Sequence, residues 1–346
     1  MSYDEIVLMV QREVREVYRG AKKGISAVIS AYIESILPKK EAETKQDERD
    51  ILSRSMNAGG LLVIAGMLYE ANKKAKNRIN RAIPRAFAES MNQEAYEIER
   101  EIGEQIGLIP VSEEDISEWL DENPEVYATE ELNKRKDEKW NTANVRNLII
   151  TGVLLGIGAN RLSGYVTGNV IRRNERTMLQ NAFDTVSSAG ESGRLAAMRN
   201  AEIKGQDIEK EWVATLDFKT RDAHRDLDGQ RVPVGDPFVY DGDEIMEPRD
   251  PRAKAYLRCN CRCAMRRVMN GWKRDGERKE NIRHYNDDGT WYKPMVPNMT
   301  YNEWYQMKVR EIGEVEIRRQ VKEMRREQAR RYYRKRRRQQ KAVAAG

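Results

Sequence analysis

The chain has 346 residues and carries 62 Lys+Arg against 56 Asp+Glu, for a net charge of +6, a length that suits roughly two or three domains. With 39% hydrophobic residues it can build a core, which excludes wholesale disorder, and its longest apolar runs, Gly59–Leu68 and Leu148–Ile157, are ten residues each, short of the ~18 that a membrane span needs. The charge is uneven: Glu316–Lys341 holds 13 Lys/Arg and 3 Glu, a local net of +10, so the rest of the chain sums to −4, and that one segment argues for a polyanionic partner.

The first residues, MSYDEIVLMVQREV, place acid where a secretory leader needs base and are read as the start of a helix. Ile6, Val10, Val14, Val17, Ala21, Ile25, Val28 and Tyr32 recur every three or four positions, which puts them on one face. Pro38 and the charged stretch 39–50 end that helix. A second helical block is expected over 51–81, and Pro84 and Pro110 punctuate a third. Ser112 and Asp115 have the spacing of a capping box ahead of Ile116, Trp119 and Leu120, so a short helix starts there, and Pro124 closes it. A further helical stretch is expected over about 126–190. It contains the apolar run Asn147–Val166, read as a buried core helix whose glycines allow close packing, with a membrane-active or pore-lining segment as the competing reading. The character changes after Gly205. Trp212–Asp217 alternates like a strand, Asp228-Gly229 signals a turn, and Gly235, Pro237, Gly242, Pro248 and Pro251 break the next stretch into short pieces. Asp287-Asp288-Gly289 marks another turn. Thr300 and Glu303 form a second capping box that opens a long final helix, whose apolar residues thin out beyond Met324. The expected fold class is α+β: a mainly helical N-terminal half (1–149), a small loop-rich α+β domain (150–298), and a long C-terminal basic helix and tail (299–346).

The densest chemical signal lies between residues 212 and 263. His224 is one of two histidines, and all three cysteines fall within Cys259–Cys263. Three cysteines so close together make no disulfide framework, which places synthesis in a reducing cytoplasm. Thiolate and neutral imidazole are zinc ligands, and zinc takes four of them. His224, Cys259, Cys261 and Cys263 are therefore a candidate metal set, with Asp217 or Asp228 as substitutes. The single residue between successive cysteines is shorter than the usual zinc spacing, and the competing reading is a small core packed by cysteines with His224 in a structural hydrogen bond. Asp217, Arg221, His224 and Asp228 could also be arranged as acid, base and orienting groups. No nucleophile elbow, phosphate loop or HExxH helix accompanies them, so no catalytic residue is assigned. In the simplest account Asp217 and Thr220 cap the turn after the strand, His224 points inward, and Asp228-Gly229 turns the chain back.

Asp217, Thr220, Arg221, His224, Leu227, Asp228 and Gly229, followed by Asn260, Cys261, Arg262 and Cys263, form a two-part pattern that resembles the signature of the phage Mu F-like minor head proteins. Trp212 and a helical approach over Arg172–Gly205, with Arg194 and Gly205, fit the same pattern. The likeness covers about residues 150–270. Where that family commonly has His-Pro ahead of Asn-Cys-Arg-Cys, this chain has Arg258 and Cys259, so Cys259 stands where a family histidine would. The stretch Asp287–Lys308 resembles the extension of many such proteins from phages of Gram-positive hosts. The resemblance implies a non-enzymatic structural virion protein; some members carry a C-terminal toxin domain, and with only a helix and a tail expected after residue 270 this chain is read as the plain structural form. Such a protein sits inside the virion near the portal vertex, meets portal or major capsid protein, and takes part in head assembly and in packaging or ejection of the genome. The amphipathic N-terminal helices are the expected docking surface.

The tail supplies an independent expectation. Arg330, Arg331, Arg334, Lys335, Arg336, Arg337 and Arg338 lie within nine residues that include no acid, so no internal pairing offsets them. Arginine contacts phosphate bidentately and releases counterions, which predicts sequence-independent binding of double-stranded DNA. Tyr332 and Tyr333 are available for stacking. The rival reading from another class is a cytoplasmic nucleic-acid-binding metalloprotein or nuclease built around His224 and the cysteines.

Overall fold

The apolar periodicity of the first segment builds α1 (Tyr3–Ile36). Val10, Val14, Tyr18, Ile25, Ile29 and Ile33 are all buried along one face. The computed structural model describes residues 3–36, 58–123, 131–269, 275–323, 326–327 and 330. Pro38, the 39–50 stretch and Pro124 lie outside them. Five further helices come next: α2 (Ala58–Arg81), α3 (Ile83–Ile102), α4 (Glu113–Glu122), α5 (Lys134–Leu154) and α6 (Ala159–Ile203). Pro84 sits in the first turn of α3, where no backbone N–H is needed. The capping box of Ser112 and Asp115 starts α4 as expected.

The chain folds as two compact units. One takes Val7–Ala82 and Glu130–Phe183 and is helical. Its apolar interior contains a paired polar seam. Asn72 Nδ2 donates to Asp137 (2.9 Å) and to Asn174 (2.7 Å), and its Oδ1 accepts from the Tyr18 hydroxyl. Asn174 Nδ2 donates to Asn141 (2.9 Å), whose own Nδ2 donates to Asp137 (2.9 Å). Buried amides in such a closed ring reject other helix registers, since any slip strands several of them.

The run Asn147–Val166 is not one helix. It breaks between α5 and α6 at Gly156, whose φ of 67° closes a Schellman turn. Gly156 N donates to Val153 O (2.9 Å) and Ile157 N to Gly152 O (3.0 Å). Leu148 and Ile149 face the core while Leu154 and Leu155 are exposed. Among the described residues, no helix is long and apolar enough to cross a membrane.

The other unit takes the first six residues, Ile83–Thr129 and Asp184–Arg330, and is α+β. The three-stranded antiparallel sheet β2–β1–β5 comprises β1 (Ile208–Val213), β2 (Arg231–Pro233) and β5 (Ala264–Met269). β1 begins four residues before the strand expected over Trp212–Asp217 and stops at Val213. Its ladder ends there because the next amide, Ala214 N, is taken by the Asp228 carboxylate (2.5 Å). Glu94 of α3, nearly fully buried, ties the sheet to the helices by accepting from Arg194 of α6 (2.8 Å) and Arg267 of β5 (2.6 Å). Between β1 and β5 lie α7 (Asp222–Leu227), the hairpin β3 (Phe238–Tyr240) and β4 (Asp243–Ile245), and the short α8 (Ala255–Arg258). After β5, β6 (Glu277–Lys279) pairs with β9 (Met295–Pro297) around the small hairpin β7 (His284–Tyr285) and β8 (Trp291–Tyr292), turned at Asp287-Asp288-Gly289. Leu216, Val296, Tyr301 and Trp304 form a second small core beneath α9 (Tyr301–Ile312). Thr300 and Glu303 cap α9 as expected. The final helix is shorter than expected, because α9 stops at Ile312 with Gly313 as its C-cap, and helical turns resume over 314–323.

The fold class is α+β with a helical N-terminal half, as the sequence implied. The units interleave along the chain, and position 149/150 falls inside α5.

Candidate functional site

The site is built on the end of β1, the short α7 and the loop between α8 and β5. Trp212, on β1, is fully buried, with the His224 ring edge-on to its indole (centroids 5.8 Å, 81°) and Phe238 on another side (5.3 Å, 82°). α7 begins at Arg221, its N-cap. The Asp217–Thr220 bend that delivers it is held by Lys219 N donating to Asp217 (2.9 Å) and Thr220 Oγ1 donating to Thr215 O (2.5 Å). α7 then turns His224 inward, where it is 2% exposed.

Each half of the two-part pattern binds the other. Arg262 donates two parallel bonds to the Asp217 carboxylate (2.5 and 2.9 Å), which also accepts from Asn281 (2.9 Å). Burial pushes the Asp217 carboxyl up, but the Arg262 hydrogen bonds and charge outweigh it and hold it below the usual range. Asp228, fully buried, accepts from Ala214 N, from Tyr301 N and from the Arg278 guanidinium (3.1 and 3.2 Å). Gly229 N donates to Trp212 O (2.9 Å), closing the turn into β2. Asn260 adopts φ 53° ahead of Cys261, a conformation that asparagine tolerates better than most residues.

His224, Cys261 and Cys263 converge, all three buried, with donor atoms within 4.8 Å of one another. His224 Nδ1 lies 3.1 Å from Cys263 Sγ and 3.6 Å from Cys261 Sγ. Arg221 Nη2 lies 2.9 Å from His224 Nε2. A guanidinium only donates, so Nε2 accepts and the ring proton of the neutral imidazole sits on Nδ1, facing the sulfurs. The hydrogen bond from Cys263 and then His224 pull the Cys261 thiol well below its usual value against the opposing effect of burial. Burial first, and then the neighbouring Cys261 sulfur, push the Cys263 thiol well above its own. Arg249 donates to Cys263 O (3.2 Å).

Cys259 does not join the three. It is exposed, on the wall of a cavity of about 310 Å³ lined by Thr215, Lys219, Thr220, Arg221, His224, Cys259, Asn260, Arg262 and Cys263. Asp217 and Asp228 do not join them either, since both are engaged with arginines and amides. Of the tail residues, Arg330 is exposed, and Arg331, Arg334, Lys335, Arg336, Arg337 and Arg338 lie outside the described residues. Arg249, Arg278, Asn281 and Tyr301 hold the site together and were not foreseen. Their partners are 14 to 84 positions away, and no local pattern marks them.

Residues 143–266 match the family described as Phage Mu protein F like protein, and this segment contains both halves of the bonded pattern. That segment is similar to the phage Mu F-like family. The chain is 25% identical over 313 residues to minor head protein GP7 of Bacillus phage SPP1, an alignment that takes in 88% of this chain and 94% of that one. It is also 29% identical over 190 residues to NAD(+)–arginine ADP-ribosyltransferase EFV of Enterococcus faecalis, covering 52% of this chain. The match spans about a third of the length of that transferase (34%). No solved structure matches the chain.

Proposed function

We propose that this chain is a structural minor head protein of a tailed bacteriophage, placed inside the capsid near the portal vertex and contributing to head assembly and to packaging or ejection of the genome. The observation that carries this reading is the alignment with the SPP1 minor head protein, which runs through nearly the whole of both chains and so takes in the helical region as well as the bonded pattern. The pattern's own geometry supports it. Asp217 and Asp228, the carboxylates available for acid–base work, are bound to Arg262, Asn281, Arg278 and backbone amides. They close the fold, and we assign them no catalysis. The partners in this reading are portal or major capsid protein and packaged double-stranded DNA, the latter met by the basic tail. The protein meets them in the host cytoplasm during assembly and stays in the virion.

The apolar stripe of α1 is buried within the chain's own units, so docking falls to apolar residues left outside. Leu62 and Val63 of α2 are 55% and 57% exposed. Co-expressed portal or major capsid protein is expected to co-purify with the full chain, and Leu62→Glu with Val63→Glu to abolish that without unfolding it. Failure of both head proteins to co-purify with the wild-type chain would overturn the reading.

A further inference from the structure

Two buried thiols and a buried imidazole meet beside a cavity lined by His224 and Cys263, whose wall also carries a third thiol, Cys259. We propose that His224, Cys261 and Cys263 bind a zinc-class metal ion and that Cys259 is its fourth ligand. The assignment stands independently of the head-protein reading.

The distances suit such an ion. Around tetrahedral zinc, with Zn–S about 2.3 Å and Zn–N about 2.0 Å, the donor atoms sit about 3.6–3.8 Å apart. Nδ1 to Cys261 Sγ is 3.6 Å and Nδ1 to Cys263 Sγ is 3.1 Å, so a shift of a few tenths of an ångström opens the triangle to an ion. The Cys263 amide already points at Cys261 Sγ (3.4 Å), as a donor that stabilises a ligating sulfur does.

The fourth position is assigned by elimination and by charge. Asp217 and Asp228 are held away by Arg262 and Arg278. Cys259 faces the same cavity as His224 and Cys263 and lies just past the one-turn α8. A zinc ion with three thiolates and a neutral imidazole carries a net charge of −1, whereas two thiolates and a water leave it neutral. The cavity wall offers Lys219 and Arg221 and has no carboxylate among its lining residues, which suits the anionic centre. Two side chains must move: Cys259, exposed and outside the converging three, must bring its thiol inward, and Arg221 must leave the ring. Arg221 donates to Nε2, and a metal on Nδ1 requires the proton at Nε2, so Arg221 turns away into the cavity that it lines when the ion binds.

The test uses the full chain, produced with zinc and then exchanged with cobalt(II). Metal analysis is expected to give one ion per chain, and the cobalt form to show the intense visible bands of a tetrahedral site together with sulfur-to-cobalt charge transfer. Cys259→Ser is expected to keep the ion and lose about a third of the charge-transfer intensity, as three thiolates become two. His224→Ala and Cys261→Ser are expected to lose the ion. Arg221→Gln, which accepts the Nε2 proton, is expected to bind it about tenfold more tightly. A folded wild-type chain that takes up no stoichiometric zinc or cobalt overturns the site. Unchanged charge transfer in Cys259→Ser overturns the fourth ligand.

Discussion

At Asp217 a carboxylate that is 6% exposed keeps its charge because a guanidinium lies flat against it. Removing a carboxylate from water is costly, and it is tolerated where charged hydrogen bonds replace the lost hydration. Because the folded value lies below the ordinary one of about 3.9, the pair's contribution is present above that pH and is lost as pH falls through the depressed folded value. Arg262→Met is therefore expected to cost about 2 kcal/mol of stability at pH 7. Urea unfolding repeated at pH 3 should show a smaller gap between variant and wild type, and a gap independent of pH would mean that Asp217 is not the ionised partner. This part of the site was readable in advance only as a list of residues. Asp217 and Arg262 stood out by type and spacing, but which carboxylate would pair with which cation was settled by tertiary contacts. The unforeseen Arg278 sits in the charged triplet of β6 and looks like any surface arginine until Asp228 is placed beneath it.

Among the elements, those with local chemical causes were the ones foreseen. Both capping boxes lie where Ser112–Asp115 and Thr300–Glu303 put them, because a cap needs only a hydroxyl and a carboxylate three residues apart. The apolar run through Gly156 misled for the opposite reason. Its hydropathy suits a single helix, whereas the break depends on one left-handed residue that a composition window averages away. The capping box at α9 also has a measurable weight. Thr300 Oγ1 accepts from Glu303 N (3.3 Å), and Glu303 in turn accepts from Thr300 N (2.6 Å). Thr300→Ala is expected to lower unfolding stability by about 1 kcal/mol, with Thr300→Ser restoring most of it. Urea unfolding checks the change, to which Trp304, fully buried on the inner face of α9, contributes a fluorescence signal. An alanine variant as stable as wild type would show that Tyr301 and Trp304 alone hold the helix.

For the whole molecule, the net charge of +6 conceals a body at −4 and a segment at +10, and the two are expected to act on different partners. Contact with DNA through about six phosphates should weaken about 10³-fold between 50 and 200 mM salt. Deleting residues 330–346 should remove that binding while leaving the melting temperature unchanged. Equal affinity in the truncated chain would move the DNA contact onto the body.

Asp228 joins the Mu F-like segment to the C-terminal part of the chain. Its carboxylate accepts from Tyr301 N, the first amide of α9, and from Arg278, and both residues lie beyond position 266, where the family match ends. The recurring stretch is therefore not a self-sufficient module. Excised at that limit, it would keep a buried anion and lose both of its downstream partners. A fragment of this chain cut at that limit therefore needs a replacement for the C-terminal clasp or an uncharged side chain at position 228.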